Sequence, residues 1–523
     1  MDSSRALKRV ALLRGVALLC ACSLSIGSHF GLNSLGPLKS KLSREKGTSS
    51  SQFGLLTAAS ALNSTWTPLV GGLLAARLGT SLSSIMATSI IFAGQLILLF
   101  GDLTGSVRIM VFGMFIFGLG VSPLAVVQET IIVRHFKDHG LGLSLALGLV
   151  AGKFASFVAS RISFPLSQWN EHAPFFVSAC LAGFSFCVNL FYLWYSKWMA
   201  SELDRSSGIS DDDALHEVSE KRKVRIGDLL NMGDVFWLYI AINVFCGFIW
   251  TPFFPIAPNI IERRYGLSEG RAAEESSLLH AGSMFLYPLC GYLTDVVKKR
   301  SFVHRLLLLS SVLTMFCYGW LSLSPTTTKT PLPAMISFGF GLGFSPLLLV
   351  IIVPHLVPTK YVSTALGAHK SIESSGSTMM QTLAGLALDS EKRTQAKSIE
   401  KVLNAFLTLN IIQFFGVYIM MVFDRRRRQR LLSQMPEAIQ ESENEALTAG
   451  AGDTERPGEL HRLNSSPIVG SRMRRAVKEE ELLVTASERM RGKVFLTLSA
   501  MLILWTWMLF MICTLLEFPG TKP

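Results

Sequence analysis

Among the ionisable residues inside otherwise apolar runs, four stand out. Lys153 lies midway along 140–165, and His369, Lys370 and Glu373 lie midway along 361–388. A charge at the centre of a membrane-length apolar run costs about 2.5–3.5 kcal/mol on insertion scales, so such residues face a cavity or a partner. His369 and Glu373 are four apart, and Lys370 and Glu373 three apart, so both pairs can meet on one helix face. The chemistry on offer is binding. Lys153 and Lys370 can attract a carboxylate. Glu373 can answer an amine or its neighbour Lys370, and His369 can titrate in an acidic compartment. The competing reading is a structural salt bridge that pins two parts of the fold. His29, Asn33, Asn63, Trp66, Asn243 and Trp250 lie on other runs. Each either lines the same cavity or ties helix to helix.

Bond-breaking chemistry has no counterpart in the chain. There is no Walker loop, metal-binding triad or nucleophile elbow. Gly339-Phe340-Gly341-Leu342-Gly343 resembles a nucleotide fingerprint only superficially: no strand precedes it and it sits in an apolar run, where glycines serve close helix packing. The eight cysteines all fall in apolar runs, with no metal-ligand spacing. They read as small apolar residues. No cofactor and no metal is therefore expected.

The elements that must position these residues follow from composition. The chain has 523 residues, of which 16% are charged and 50% hydrophobic, with a mean hydropathy of +0.40. Soluble proteins carry about 25% charge, and disorder requires low hydrophobicity. Both classes are excluded. Crossing a bilayer takes about 20 apolar residues. Runs of that kind occur at 15–38, 51–76, 83–101, 108–133, 140–165 and 173–198, then at 234–260, 276–297, 303–323, 332–357, 361–388 and 401–423, with one more at 494–516. The fold class is an all-α polytopic membrane protein of 6+6 transmembrane helices plus a C-terminal thirteenth.

The net charge of +12 would suggest nucleic acid in a soluble protein. Here the cations lie in short loops, which is an orientation signal. With the N-terminus cytosolic, the clusters at Arg5–Arg14, Lys221–Arg225, Lys298–Arg300 and Arg425–Arg428 all fall on the cytosolic side. The last of these also suits anionic lipid. The first outer loop is unexpectedly basic, with Lys39, Lys41, Arg44 and Lys46.

Internal repetition sets the domain plan. Phe117-Gly118-Leu119-Gly120-Val121-Ser122-Pro123-Leu124 recurs 223 residues later as Phe340-Gly341-Leu342-Gly343-Phe344-Ser345-Pro346-Leu347, in the fourth span of each set. The plan is a six-helix half at 1–200, a cytosolic linker at 201–233, a second half at 234–424, a charged cytosolic tail at 425–493, and the extra helix with a short C-terminus at 494–523. Duplicated halves around a midplane site are a transporter architecture. Prolines inside the spans, among them Pro68, Pro123, Pro252, Pro255, Pro258 and Pro288, mark bendable helices.

Gly291-Tyr292-Leu293-Thr294-Asp295 followed by Lys298-Lys299-Arg300 resembles the loop signature of the major facilitator superfamily. Gly72-Leu73-Leu74-Ala75-Ala76-Arg77-Leu78-Gly79 resembles its partner in the first half, with Ala76 where the family has aspartate. Within the superfamily the chain resembles the lysosomal dipeptide transporter branch in three stretches. They are Phe117–Gly120 with Leu124–Gln128 and His135–Lys137, then Val353-Pro354 with Thr364-Ala365, Gly367 and Ser371-Ile372, and lastly Ala384 to Ser390. The resemblance covers residues 15–423.

It implies alternating access about a midplane site, with small peptides as substrate in a lysosomal or vacuolar membrane. The fifth and eleventh spans would line the cavity. Substrate contact then falls to Lys153, Lys370, Glu373, His369, His29, Asn33 and Trp250, and gating to Asp295, Arg300, Glu129 and Arg77. Members of that branch associate with a single-span accessory glycoprotein, so such a subunit is a candidate partner beside the substrate and the bilayer. The chain departs from the branch at Ser122, which replaces an acid, at Met114, which replaces an arginine, at Lys153, which replaces an arginine and loses its bidentate fork, and at Lys370 and Glu373, which stand where the branch has uncharged amides. The alternatives are a proton-coupled carrier of amino acids or organic anions, and a non-transporting receptor or scaffold.

Overall fold

The computed structural model describes residues 2–136, 141–203, 226–296, 300–357, 361–389, 395–450 and 486–518; side chains at 69–80, 290–296, 300–302, 345–351 and 427–450, among others, lie outside it. Every regular element among the described residues is helical. Lipid offers backbone N–H and C=O groups no water, so a chain this apolar satisfies them within helices.

The first expected span is interrupted. Helices α1 (Asp2–Leu24) and α2 (Ile26–Asn33) meet at Ser25, and α3 (Lys39–Lys46) follows the 3-10 turn at Gly36–Leu38. Helix α4 (Ser50–Asn63) opens on a capping box, in which Ser49 and Gln52 satisfy each other's backbone N–H groups. It stops before Trp66. Helix α5 (Thr67–Leu103) then continues without a break through the end of the second expected span and all of the third. Helices α6 (Val107–Phe136), α7 (Leu141–Trp169) and α8 (Ala173–Leu203) complete the first set.

The seventh span is split into α9 (Asp234–Ile249) and α10 (Phe253–Tyr265), bent by 40°. Pro252 and Pro255 stand at the break and lack the N–H that a continuous helix would use. Pro123, Pro165 and Pro288 instead lie inside unbroken helices. Helices α11 (Glu269–Val296), α12 (Arg300–Ser322), the short α13 (Pro325–Thr328), α14 (Leu332–Leu356) and α15 (Val362–Leu388) follow. Helix α16 (Gln395–Gly450) carries the twelfth span and runs on into the charged tail, and α17 (Ala486–Glu517) is the thirteenth. By length and apolarity alone 8 of the described helices can cross a bilayer, or 9 with the bent pair counted as one span. Over their described residues α4, α11, α14 and α15 are not among them.

Buried apolar side chains fall into two clusters. One gathers residues from Ala17 to Tyr192 together with Phe510 and Cys513, and the other residues from Leu229 to Met420. The two bodies meet where α4 packs on α15 and α7 packs on α11. Without a hydrophobic drive between helices in lipid, small residues let backbones approach. A Cβ on Gly54 would stand 2.9 Å from Gly385 Cα across the α4–α15 seam. The duplicated motif uses its glycines similarly but with roles exchanged. Gly118 rests on Ser60 of α4 and Gly120 on Ala87 of α5, whereas Gly341 rests on Ser310 of α12 and Gly343 on Gly282 of α11. Of the seven described cysteines, Cys180 and Cys187 are exposed, Cys22 is half-buried and the rest are buried, and all are free.

The Gly282–Gly339 crossing of α11 and α14 leaves no room for a side chain. Gly282→Val should cost about 1–3 kcal/mol through overpacking and lower the thermal midpoint of the purified protein. Gly319→Ala, on α12 with nothing within 4 Å, should leave the midpoint unchanged or raise it, since alanine is the better helix former. Differential scanning fluorimetry of the two variants checks this.

Candidate functional site

The site is assembled from both halves. On the first, Asn33 Nδ2 donates to the His29 carbonyl oxygen at 2.8 Å and to Ser156 Oγ at 3.0 Å, and His29 Nδ1 lies 3.2 Å from the same hydroxyl. This ties α2 to α7. Gly152 makes the approach feasible, since a Cβ there would stand 2.6 Å from His29 Nε2. The next residue is Lys153. Its Nζ reaches across to the second half, 5.9 Å from the centroid of the Tyr287 ring on α11. That is cation–π range. Among the described residues Lys153 has no ion-pair or hydrogen-bond partner.

On the second half, α15 presents His369, Lys370 and Glu373. Lys370 Nζ pairs with Glu373 Oε2 at 3.0 Å, and His369 Nε2 lies 3.7 Å from the same oxygen. Both spacings expected from the sequence therefore close on one carboxylate. His369 is fixed from behind by α9: Tyr239 Oη is 2.7 Å from its Nδ1, and Asn243 Nδ2 donates to its carbonyl oxygen at 2.6 Å. The two helices lie close because Gly376 sits where a Cβ would be 2.6 Å from the Val244 carbonyl oxygen, and Gly247 lies against the Glu373 backbone. Glu373 is mostly buried, at 13% side-chain exposure, while Lys370 is 54% exposed. Lys153 lies within electrostatic range of Lys370 and Glu373. The Lys370–Glu373 pair is neutral as a unit, so the cluster as a whole carries the uncompensated charge of Lys153.

Other predicted residues take distinct places. Trp250 is buried in the core of the second half at the α9–α10 break, with its Nε1 unpartnered. Asn63 binds the Phe115 carbonyl oxygen and accepts from Trp66 Nε1. Glu129 is half-buried on α6. The side chains of Asp295, Arg300 and Arg77 lie outside the described residues. Sequence reasoning missed Tyr239, Tyr287, Ser156 and His280. His280 is buried on α11, stacks on Phe254 at 4.5 Å and has an unpartnered Nδ1. Lys153 and His29 both lie within its electrostatic range. Its signal was available, since it is an ionisable residue in an apolar run. Tyr239 and Asn243 carried only a four-residue spacing.

The basic first outer loop proves to be a closure. Arg44 pairs with Glu269, and Ser40 donates to Glu262, which draws α3 onto the second half. Asn259 donates to Ser40 at 2.7 Å, Ser51 donates to Asp389 at 2.7 Å, and Arg161 pairs with Glu274 at 2.5 Å. Lys46 binds Asp102, and Lys41 donates to the Ser167 carbonyl oxygen. Lys39 is buried with its Nζ 5.6 Å from the Phe53 ring centroid. Three of the four loop cations are thus held by anions or a carbonyl of the protein. The face they occupy, outer by the charge bias, is shut between the halves.

A two-bodied helical membrane protein with opposed midplane charges and a closed face is built as a solute carrier. The Major Facilitator Superfamily model matches residues 21–380, and the chain belongs to that family of membrane transporters. It is 24% identical to the lysosomal dipeptide transporter MFSD1 of Homo sapiens over 392 residues, covering 72% of this chain and 80% of that one. The Pongo abelii protein of the same name is 24% identical over 404 residues, at 74% and 82% coverage. Among solved structures, the nucleoside transporter NupG superposes with a TM-score of 0.61 at 12% identity, over 77% of this chain and 98% of that one. The xylose transporter XylE from E. coli gives 0.59 at 12% identity, over 77% and 97%. These structural likenesses speak to the fold.

Glu373 holds two partners, so its loss should be felt in the fold. Glu373→Gln leaves Lys153 and Lys370 as unanswered like charges and should destabilise by about 1–2 kcal/mol, less than a fully buried pair because Lys370 is open to water. Glu373→Gln with Lys370→Gln should recover part of that loss, because the two sites couple. A thermal-unfolding double-mutant cycle measures the recovery.

Proposed function

We propose that this transporter moves small peptides, dipeptides foremost, out of a lysosome or vacuole by alternating access. The observation that carries the reading is the unanswered Lys153 on one half facing the neutral Lys370–Glu373 pair on the other. A zwitterionic solute supplies what each wall lacks. Its carboxylate docks on Lys153, and its ammonium competes with Lys370 for Glu373. Buried Asn243 Oδ1 and His280 Nδ1 have no partner among the described residues and suit the peptide amide. Buried polar atoms are costly when unpaired, so a solute that satisfies them gains selectivity. The similarity to lysosomal dipeptide transporters supports both substrate and compartment. On this reading His29 and Asn33 shape the cavity wall. Asp295, Arg300, Arg77 and Glu129 form the inner gate, and a single-span accessory subunit is a partner. Trp250 supports the wall from behind.

A second reading draws on His369. Its ring sits between the Tyr239 hydroxyl and the Glu373 carboxylate, an arrangement able to hold a proton and hand it on. Proton-coupled carriage of an amino acid or organic anion uses the same residues with a smaller solute.

Counterflow in proteoliposomes with labelled dipeptides, with and without a pH gradient, separates the two. Lys153→Gln should lower dipeptide uptake by about ten- to a hundredfold, the worth of a charge-assisted hydrogen bond. A dipeptide with its carboxylate converted to an amide should compete more weakly by a similar factor. Equal competition by acid and amide, or normal uptake by Lys153→Gln, would overturn the dipeptide reading. Accumulation driven by the pH gradient and abolished by His369→Gln would favour the second.

A further inference from the structure

Helix α17 belongs to neither half alone. Its inner end is seated on the second half. Arg491 makes a bidentate pair with Asp234 at 3.1 and 2.7 Å, and Phe495 stacks on Trp237 at 5.9 Å. Leu496, Leu502 and Ile503 pack against the core of the second half. Its outer end is seated on the first half. Phe510 and Cys513 are buried in that half's core, and Leu509 and Phe518 pack against it. Ser49 donates to Glu517 at 3.2 Å, and Arg108 donates to the Phe518 carbonyl oxygen at 3.0 Å. The crossover lies between Thr506 and Trp507. Thr506 donates to the Ser375 carbonyl oxygen of α15 at 3.5 Å, and Trp507 Nε1 donates to Thr65 Oγ1 beyond the end of α4 at 3.0 Å. At the same level Ser371 of α15 bonds the Thr65 carbonyl oxygen.

A helix fixed to opposite bodies at its two ends cannot follow both when they rock. Opening the outer face swings the first half away from the second at the level of Ser49 and Arg108. One end of α17, or the crossover, must then release. Contacts made in only one of two states bias the equilibrium toward that state. We propose that α17 is an intramolecular strap that holds the transporter in its outer-closed state and sets how often the outer face opens. The inference rests on the rocking of the two halves. It does not depend on which solute is carried.

Spin labels at Gln168 and Thr327, exposed outer-face positions of the first and second half, report the opening by pulsed electron–electron distance measurement on the full chain in lipid nanodiscs. In the parent protein the short-distance population should dominate. Trp507→Ala, which removes the crossover, should raise the ratio of long to short distances about tenfold. Arg491→Glu should raise it too, and Arg491→Glu with Asp234→Arg should restore the parent distribution. Trp505→Ala, on the exposed side of α17, is the control for helix integrity and should leave the distribution unchanged. The strap is refuted if Trp507→Ala keeps the parent distribution, if Trp505→Ala shifts it equally, or if the charge swap fails to rescue Arg491→Glu. The readout is conformational, so failure of the dipeptide reading would leave it intact.

Discussion

A lysine with no ion-pair partner among the described residues, placed inside an apolar helix where the two halves meet, is the constraint around which this structure is arranged. Lys153 cannot sit in lipid at tolerable cost, so α7 must turn it inward. There its ammonium lies over the face of Tyr287 on the opposite half. The other half meets it with charges that already cancel, Lys370 against Glu373. On the proposed reading one wall takes the negative charge of the solute and the other trades positive charge with it. Supporting contacts serve that asymmetry. Gly152 admits the His29 ring behind Lys153, and Gly247 and Gly376 admit the α9 backbone behind Glu373, so close approaches at glycine anchor both walls and fix where the charges stand.

The same economy governs the outer face. The ion pairs that join the halves there, Arg44 with Glu269 and Arg161 with Glu274, keep their arginines open to solvent, and exposed pairs contribute little each. That suits a gate, since contacts that must break in every cycle cannot be strong. Firmer closure comes from the glycine seam of α4 and α15 and from α17 lying across it. Weak pairs at the rim, close packing in the seam and a helix joined to both bodies act at different depths on one equilibrium.

Much of this was legible in the chain. Run lengths and the repeat announced two six-helix halves and an added helix. Charges stranded in apolar runs pointed to Lys153, His369, Lys370 and Glu373, and the three- and four-residue spacings foretold which would share a face. Other features were hidden for definable reasons. Tyr239 and Tyr287 look like ordinary span residues, because nothing in a one-dimensional pattern says which helix stands opposite. The α9–α10 break could be suspected from Pro252 and Pro255, yet Pro123 and Pro288 carry the same signal in helices that do not break. The basic outer loop contradicted the orientation rule until its partners, Glu262, Glu269 and Asp102, were seen in space.

The sequence by itself determined what local chemistry determines: which segments leave water, which are helical, and which residues are too costly in lipid to be idle. Only the tertiary structure decided what depends on register between distant helices. That includes the exchange of glycine roles between the two motif copies, the cation of one half resting on the aromatic of the other, and the thirteenth helix that joins the core of the second half as far as Ile503 and that of the first from Trp507 onward. Apolarity sends a helix into the membrane but is blind to its neighbours. Packing of small residues and a few hydrogen bonds choose them, and those choices are made between residues tens to hundreds apart.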